Sequence, residues 1–269
     1  MRTVALQVGG ATNGRKTSRW ITNQTSFVPG VYTVLDLTTT FRAVRTRDDE
    51  ERDFAWEEVE TGDFDRWCQV DGARIVRLYD QTEHGNDAVA NVLGARVSCH
   101  ELFGYHLQFG GTAGECYRVH DSATYKAASL TVVHVSSQYG HDATRVFLCY
   151  PHTTHLDEEQ FRFVIYKDRT DAKWRLRVGN TTFTDDKANG WWNHPQLYRH
   201  VIGRSGESRA GGVLLGEHAS GLVTYPNPVG LGLGGDWNGK NTWKGDVYAV
   251  IVRSSVVDEL SRYRLDRET

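Results

Sequence analysis

The chain has 269 residues, 39% of them hydrophobic and 11% aromatic, with 31 Lys+Arg against 34 Asp+Glu for a net charge of −3. That is enough apolar surface for a sizeable core, too little net charge for a disordered chain, and no basic excess of the kind that binding to a phosphate backbone requires. No apolar run is long enough to cross a bilayer, and Met1 to Gly10 lacks the long apolar stretch and small-residue cleavage site of a secretory signal, so neither a membrane protein nor a classically secreted one is expected. Cys68, Cys99, Cys116 and Cys149 are too few and too widely spaced for a disulfide scaffold, and no Cys-x-x-Cys pair suggests zinc, so they read as reduced core residues.

In chain order, Gly30 to Arg47 is rich in β-branched and aromatic residues and runs into the acidic tip Asp48, Asp49, Glu50 and Glu51. This predicts a strand, a solvated turn and a returning strand through Phe54 and Trp56. Thr61 to Cys68 predicts a turn or two of helix. Further strands are expected at Arg74–Tyr79, Tyr105–Phe109, Ser129–Ser136, Thr144–Tyr150, Gln160–Tyr166 and Trp174–Val178, then at Tyr198–Ile202, Gly212–Leu215, Gly230–Leu233 and Asp246–Arg253. Their short, even spacing, with 27 Gly, 12 Tyr and 8 Trp in the chain, argues for an all-β sandwich or barrel. Ser255-Val256-Val257-Asp258 has the pattern of a capping box and predicts a C-terminal helix. No linker or repeat divides the chain, so residues 1–269 are expected to form one domain, with 1–29 an N-terminal extension or first strand and 254–269 the helix.

Three stretches look chemical. Gly230-Leu231-Gly232-Leu233-Gly234-Gly235 fits a dinucleotide-binding pattern, but a Pro-containing loop precedes it and polar turn residues follow it. It therefore reads as a glycine-rich strand entering a turn. His152-Thr153-Thr154-His155 with Asp157, Glu158 and Glu159 gathers metal-capable side chains in what reads as a loop, and no zinc signature is present, so no metal site is assigned. Trp191-Trp192-Asn193-His194, together with Trp237 and Trp243, offers flat indole faces of the kind that stack on sugar rings.

The most specific stretch is Tyr79-Asp80-Gln81-Thr82-Glu83-His84-Gly85-Asn86-Asp87, a turn in which short polar side chains can bond back to the backbone. It resembles the turn of concanavalin A-like lectin/glucanase domains, in particular the arabinofuranosidase B catalytic domain and related modules of viral and phage structural proteins. Phe41 to Phe54, with its Arg-rich acidic tip, Leu231-Gly232-Leu233-Gly234-Gly235-Asp236, and Trp243 to Val252 resemble further parts of that family in order. The resemblance implies an all-β, two-sheet antiparallel jelly-roll sandwich with a short C-terminal helix. It also implies that Asp236, in its Gly-Gly-Asp turn, stands where the family has its general acid. The family's nucleophile segment and its adjacent cysteine pair have no counterpart here.

With one matching carboxylate, the expectation is a non-enzymatic lectin-like module that binds glycan or a protein partner, as a surface or minor structural (capsid or fibre) component of a virion. In that reading the carbohydrate-binding residues are Trp191, Trp192, Trp237, Trp243, Asp80, Asn86 and Asp87. No cofactor is expected; calcium is common in lectin-like sandwiches, but no Asp-rich ligand loop of recognisable spacing occurs. Neither nucleic acid nor membrane insertion is expected, and a homo-oligomer is compatible with an assembly role. Synthesis is expected in the cytosol, without a signal peptide, with incorporation into a virion. The alternatives are a glycoside hydrolase of the arabinofuranosidase type, with Asp236 as acid and Glu158 or Glu159 as its partner, and a purely structural assembly protein without a ligand.

Overall fold

A computed structural model describes residues 3–7, 40–80, 86–100, 104–120, 130–140, 142–151, 161–170, 173–179, 181–184, 195–203, 206–210, 213–218 and 230–253. Its strands are β1 (Thr3–Gln7), β2 (Phe41–Arg45), β3 (Glu51–Phe54), β4 (Ala73–Leu78), β5 (Ala88–Ala90), β6 (Arg96–His100), β7 (Gly104–Gly110), β8 (Tyr117–His120) and β9 (Leu130–Ser136). They continue as β10 (Arg145–Pro151), β11 (Phe161–Lys167), β12 (Trp174–Val178), β13 (Thr181–Thr184), β14 (Gln196–Ile202), β15 (Gly206–Ala210), β16 (Val213–His218), β17 (Gly230–Leu233) and β18 (Lys244–Arg253). Among the described residues the α-helices are α1 (Trp56–Glu60) and α2 (Asp63–Cys68).

The expected all-β class is what the structure has, and its strands join in one antiparallel hydrogen-bonded network. The network forks at β4. One edge of β4 pairs with β2, which carries β3; the other pairs with β5 at Arg77 and Leu78 and with β6 at Arg74. The first arm runs β5, β8, β17, β10, β11, β12, β13. The second runs β6, β7, β18, β9, β14, β15, β16, with β1 on the half of β18 that β7 leaves free. Beyond these pairings, β13 and β16 come close to one another, so the arms approach at their far ends and the sheet nearly closes like a barrel. The N-terminal residues Thr3–Gln7 are thus a strand. The expected C-terminal helix over 254–269, and the Gly30–Thr39 part of the first predicted strand, lie outside the described residues.

Alternation decides what faces inward. In β12, Trp174, Leu176 and Val178 are buried while Arg175 and Arg177 are half-buried on the other face. The inward set joins Phe147, Tyr198 and Trp243 in an aromatic interior, with Trp174 and Trp243 stacked at 5.3 Å. The predicted returning strand ends at Phe54, because the Glu58 side chain accepts the Ala55 N–H at 2.8 Å and opens α1 at Trp56. The acidic tip is more than a solvated turn. The buried Arg45 holds Asp48 and Glu50, donates to the Trp67 carbonyl at 3.1 Å, and lies 5.0 Å over the Trp67 ring.

A candidate carboxylate site at Asp236

β17 behaves as the glycine-rich strand entering a turn: no helix follows it, and residues 234–243 loop across to β18. Gly234 begins the loop with φ +78°, and the Phe109 ring occupies the space where a side chain would be. The Gly234 N–H donates to the Phe147 carbonyl and the Trp243 N–H to the Gly234 carbonyl, each at 2.8 Å, which ties both ends of the loop to the core.

Asp236 holds the loop from within. Its Oδ1 accepts the Asn238 N–H at 3.1 Å and the Lys240 N–H at 2.7 Å, a side chain bonding to backbone two and four residues on. Among the described residues its Oδ2 accepts only the Asn241 amide, at 3.3 Å. The residue is 8% exposed. Oδ1 is therefore fixed as an acceptor, and Oδ2 is the oxygen with hydrogen-bonding capacity left.

Three neighbours fix the backbone around that carboxylate. Cys149 Sγ donates to the Gly235 carbonyl at 3.5 Å and Cys116 Sγ to the Asp236 carbonyl at 3.8 Å. Burial pushes the Cys116 thiol up to about 11 and Cys149 well above its usual value, so both stay protonated donors at neutral pH. Arg118 donates Nε and Nη2 to the Trp237 carbonyl at 3.0 and 2.6 Å, and its guanidinium lies 5.0 Å over the Trp237 ring. These three residues were not picked out in the sequence as neighbours of Asp236. The available signal was weak: alternation in Tyr117-Arg118-Val119-His120, and glycines at 232 and 235 that leave room for sulfur. A Cβ on Gly232 would lie 2.7 Å from Cys149 Sγ.

Of the other expected glycan residues that the structure describes, Trp237 shares the Asp236 loop, whereas Asp80, Asn86 and Asp87 lie elsewhere. Trp243 is fully buried against Trp174 and Phe147, and Trp237 is 7% exposed beneath Arg118, so neither offers an open indole face. Asp80 accepts the Asn86 N–H and Asp87 accepts the Asp80 N–H, each at 2.9 Å, so these side chains tie Asp80 to Asn86 and Asp87. Register places these three residues beyond Leu78 and Ala88, towards His120 and Gly230, at the opposite end of β8 and β17 from Asp236. Trp191, Trp192, Glu158, Glu159 and the His152–His155 cluster lie outside the described residues. Among the described residues, no group of three or more His, Cys, Asp or Glu side chains could hold a metal ion, and no helix is long and apolar enough to cross a membrane.

No family model and no curated protein matches the chain. Solved structures do. An arabinofuranosidase complexed with arabinofuranosyl-α-1,2-xylobiose is similar over 98% of this chain and 61% of its own length, with 13% identity and a TM-score of 0.65. A GH54 α-L-arabinofuranosidase soaked with a cyclic sulfate inhibitor has the same identity and coverage, with a TM-score of 0.63. Trypanosoma rangeli sialidase in complex with the inhibitor DANA has 14% identity and a TM-score of 0.53 over 71% of this chain and 30% of that one. The chain thus spans about three fifths of the length of the arabinofuranosidases it matches. At such identities the likeness establishes the fold, a β-rich architecture shared with carbohydrate-active enzymes. It corrects the expectation of a non-enzymatic virion module: the arabinofuranosidases that match 98% of the chain are glycoside hydrolases, and nothing supports a capsid, fibre or other virion role.

Proposed function

We propose that the chain is a glycoside hydrolase of the arabinofuranosidase type, releasing terminal arabinofuranosyl units from a glycan. The observation that carries this reading is the similarity, over 98% of the chain, to an arabinofuranosidase holding an arabinofuranosyl-xylobiose. We read the two arms as the layers of a concanavalin A-like jelly roll and residues 1–269 as a single domain of that kind. Trp191 and Trp192 are the side chains proposed to stack on sugar.

Asp236 serves as the general acid in this scheme. Oδ1, anchored by two backbone N–H groups, sets the plane of the carboxyl, and Oδ2 delivers the proton to the departing glycosidic oxygen. Retention of configuration requires a second carboxylate roughly 5 Å away as nucleophile. None of the hydrogen bonds at Asp236 involves such a group, and Glu158 and Glu159 are the residues proposed for it.

The test is arabinose release from an aryl arabinofuranoside and from an arabinofuranosyl-xylobiose. Asp236→Asn should slow the second by at least ~10²-fold, and slow the first less because an aryl leaving group departs without a proton. No release by the intact chain, or an equal fold-loss for Asp236→Asn on both substrates, would overturn the reading.

A further inference from the structure

Across the first arm, one register row runs Arg42 (β2), Arg77 (β4), Val89 (β5), Arg118 (β8), Gly232 (β17). All five alternate with inward residues such as Phe41, Leu78, Ala88, Tyr117 and Leu231, so the row lies on the outward face. The Asp236–Trp237 loop folds onto one end of this row and touches Arg118.

The arginines of this row differ in their partners. Arg42 is neutralised by Asp53 through two hydrogen bonds, at 2.7 and 2.9 Å, and Tyr79 OH donates to the same carboxylate at 2.7 Å. Asp53 is thereby occupied. Arg77 makes no hydrogen bond or ion pair among the described residues, and its guanidinium lies 5.9 Å over the Tyr79 ring. Arg118 spends Nε and Nη2 on a carbonyl, which among the described residues leaves its charge without an ion pair and Nη1 uncommitted. Both arginines are half-buried, and only Val89 stands between them. Two strand spacings set their Cα atoms about 10 Å apart. The planar fork of Arg77 matches a carboxylate and Arg118 adds a second positive charge with Nη1 to donate, so the two beside one loop form a surface selective for spaced negative charge on an extended chain.

We infer that this outward face binds the acidic part of a glycan, with Arg77 and Arg118 receiving uronate carboxylates while the chain runs on towards the Asp236 loop. The choice of a glycan rests on the proposed hydrolase reading; the requirement for negative charge rests on the arginine row alone.

The test titrates the full chain with an oligogalacturonate, a neutral arabinoxylan oligosaccharide and poly-glutamate, at low salt and at about 1 M NaCl, where the screening length falls to about 3 Å. The oligogalacturonate should bind roughly tenfold more tightly than the neutral sugar at low salt and lose that preference at high salt. Arg77→Gln should weaken it about fivefold, and Arg77→Lys, which keeps the charge but not the fork, by less. Equal binding of acidic and neutral sugars, poly-glutamate binding as tightly as the uronate, or an Arg77→Gln chain with unchanged circular dichroism and unchanged affinity would each overturn the inference. Arabinose release is followed on the same samples. Uronate binding that depends on Arg77 without any release would reject the hydrolase and leave this face standing; release without uronate preference would do the reverse.

Discussion

His134 and His200 meet in the interior with their Nε2 atoms 3.2 Å apart, so one ring donates and the other accepts. Each uses its Nδ1 on a serine: His134 on Ser136 at 3.0 Å and His200 on Ser208 at 2.9 Å. Phe147 stacks on His134 at 4.0 Å, with Tyr198 and Trp174 close by. Burial, then the facing His200 and Lys167, hold His134 well below the usual histidine value. Folding therefore keeps neutral a group that the unfolded chain protonates below pH ~6.5. Its contribution is present above that pH and is lost as pH falls towards the folded value, at about 1.4 kcal/mol per pH unit. The exposed carboxylates act lower: Arg45 holds Asp48 down to about 2, so that pair weakens only as pH drops from roughly 4. Urea midpoints should therefore begin to fall between about pH 6.5 and 5. A flat profile across that window would mean that His134 takes up protons in the folded chain.

Gly234 and Gly72 separate two causes of glycine dependence. Both have positive φ, +78° and +71°, but a Cβ at Gly234 would sit 2.2 Å from the Phe109 ring, whereas at Gly72 nothing lies within 4 Å. Gly72→Ala should cost about 2 kcal/mol, from backbone strain alone, since φ +71° with ψ −174° is a conformation only glycine adopts readily. Gly234→Ala adds overpacking against a fully buried ring and should cost roughly 3 kcal/mol or more. Chemical denaturation of the two variants checks this; equal losses would mean that the loop moves away from Phe109 at little cost.

Where one face is inward and the other outward, the sequence was readable. Trp174–Val178 alternates apolar with Arg, and its predicted bounds are those of β12. β5 (AVA), β13 (TTFT) and β15 (GESRA) escaped notice because three to five small or polar residues carry no period, and these strands exist through pairing with neighbours. Asp236 was legible as a turn residue beside glycines, yet its surroundings were not. Arg118, Cys116 and Cys149 reach it only because β8 and β10 flank β17, a long-range pairing. Trp243 was expected among the sugar-stacking residues, but the Gly234–Trp243 backbone bond turns it into the core.

The four cysteines should differ sharply in native labelling. Cys99 is exposed, whereas Cys68, Cys116 and Cys149 are buried, and burial raises Cys68 to about 12. A thiol reagent at pH 8 should modify Cys99 alone in the folded chain, and all four after denaturation. Fast native labelling of Cys149 would show that the 234–243 loop opens, since that thiol donates to the Gly235 carbonyl.

Asp236 holds its loop and, in the proposed hydrolase, would also supply a proton, and stability separates the two. Asp236→Ala leaves the Asn238 and Lys240 N–H groups without their acceptor and should cost about 2–3 kcal/mol. Asp236→Asn can keep Oδ1 in place for both, but turns an amide nitrogen towards the Asn241 amide, so a loss near 1 kcal/mol is expected. Amide hydrogen exchange at residues 238 and 240 should accelerate strongly in the alanine variant and little in the asparagine one. If the asparagine variant keeps its loop protected yet releases no arabinose, the missing function is the proton on Oδ2. If its loop exchanges as fast as in the alanine variant, the activity loss reports a collapsed turn and says nothing for the acid role.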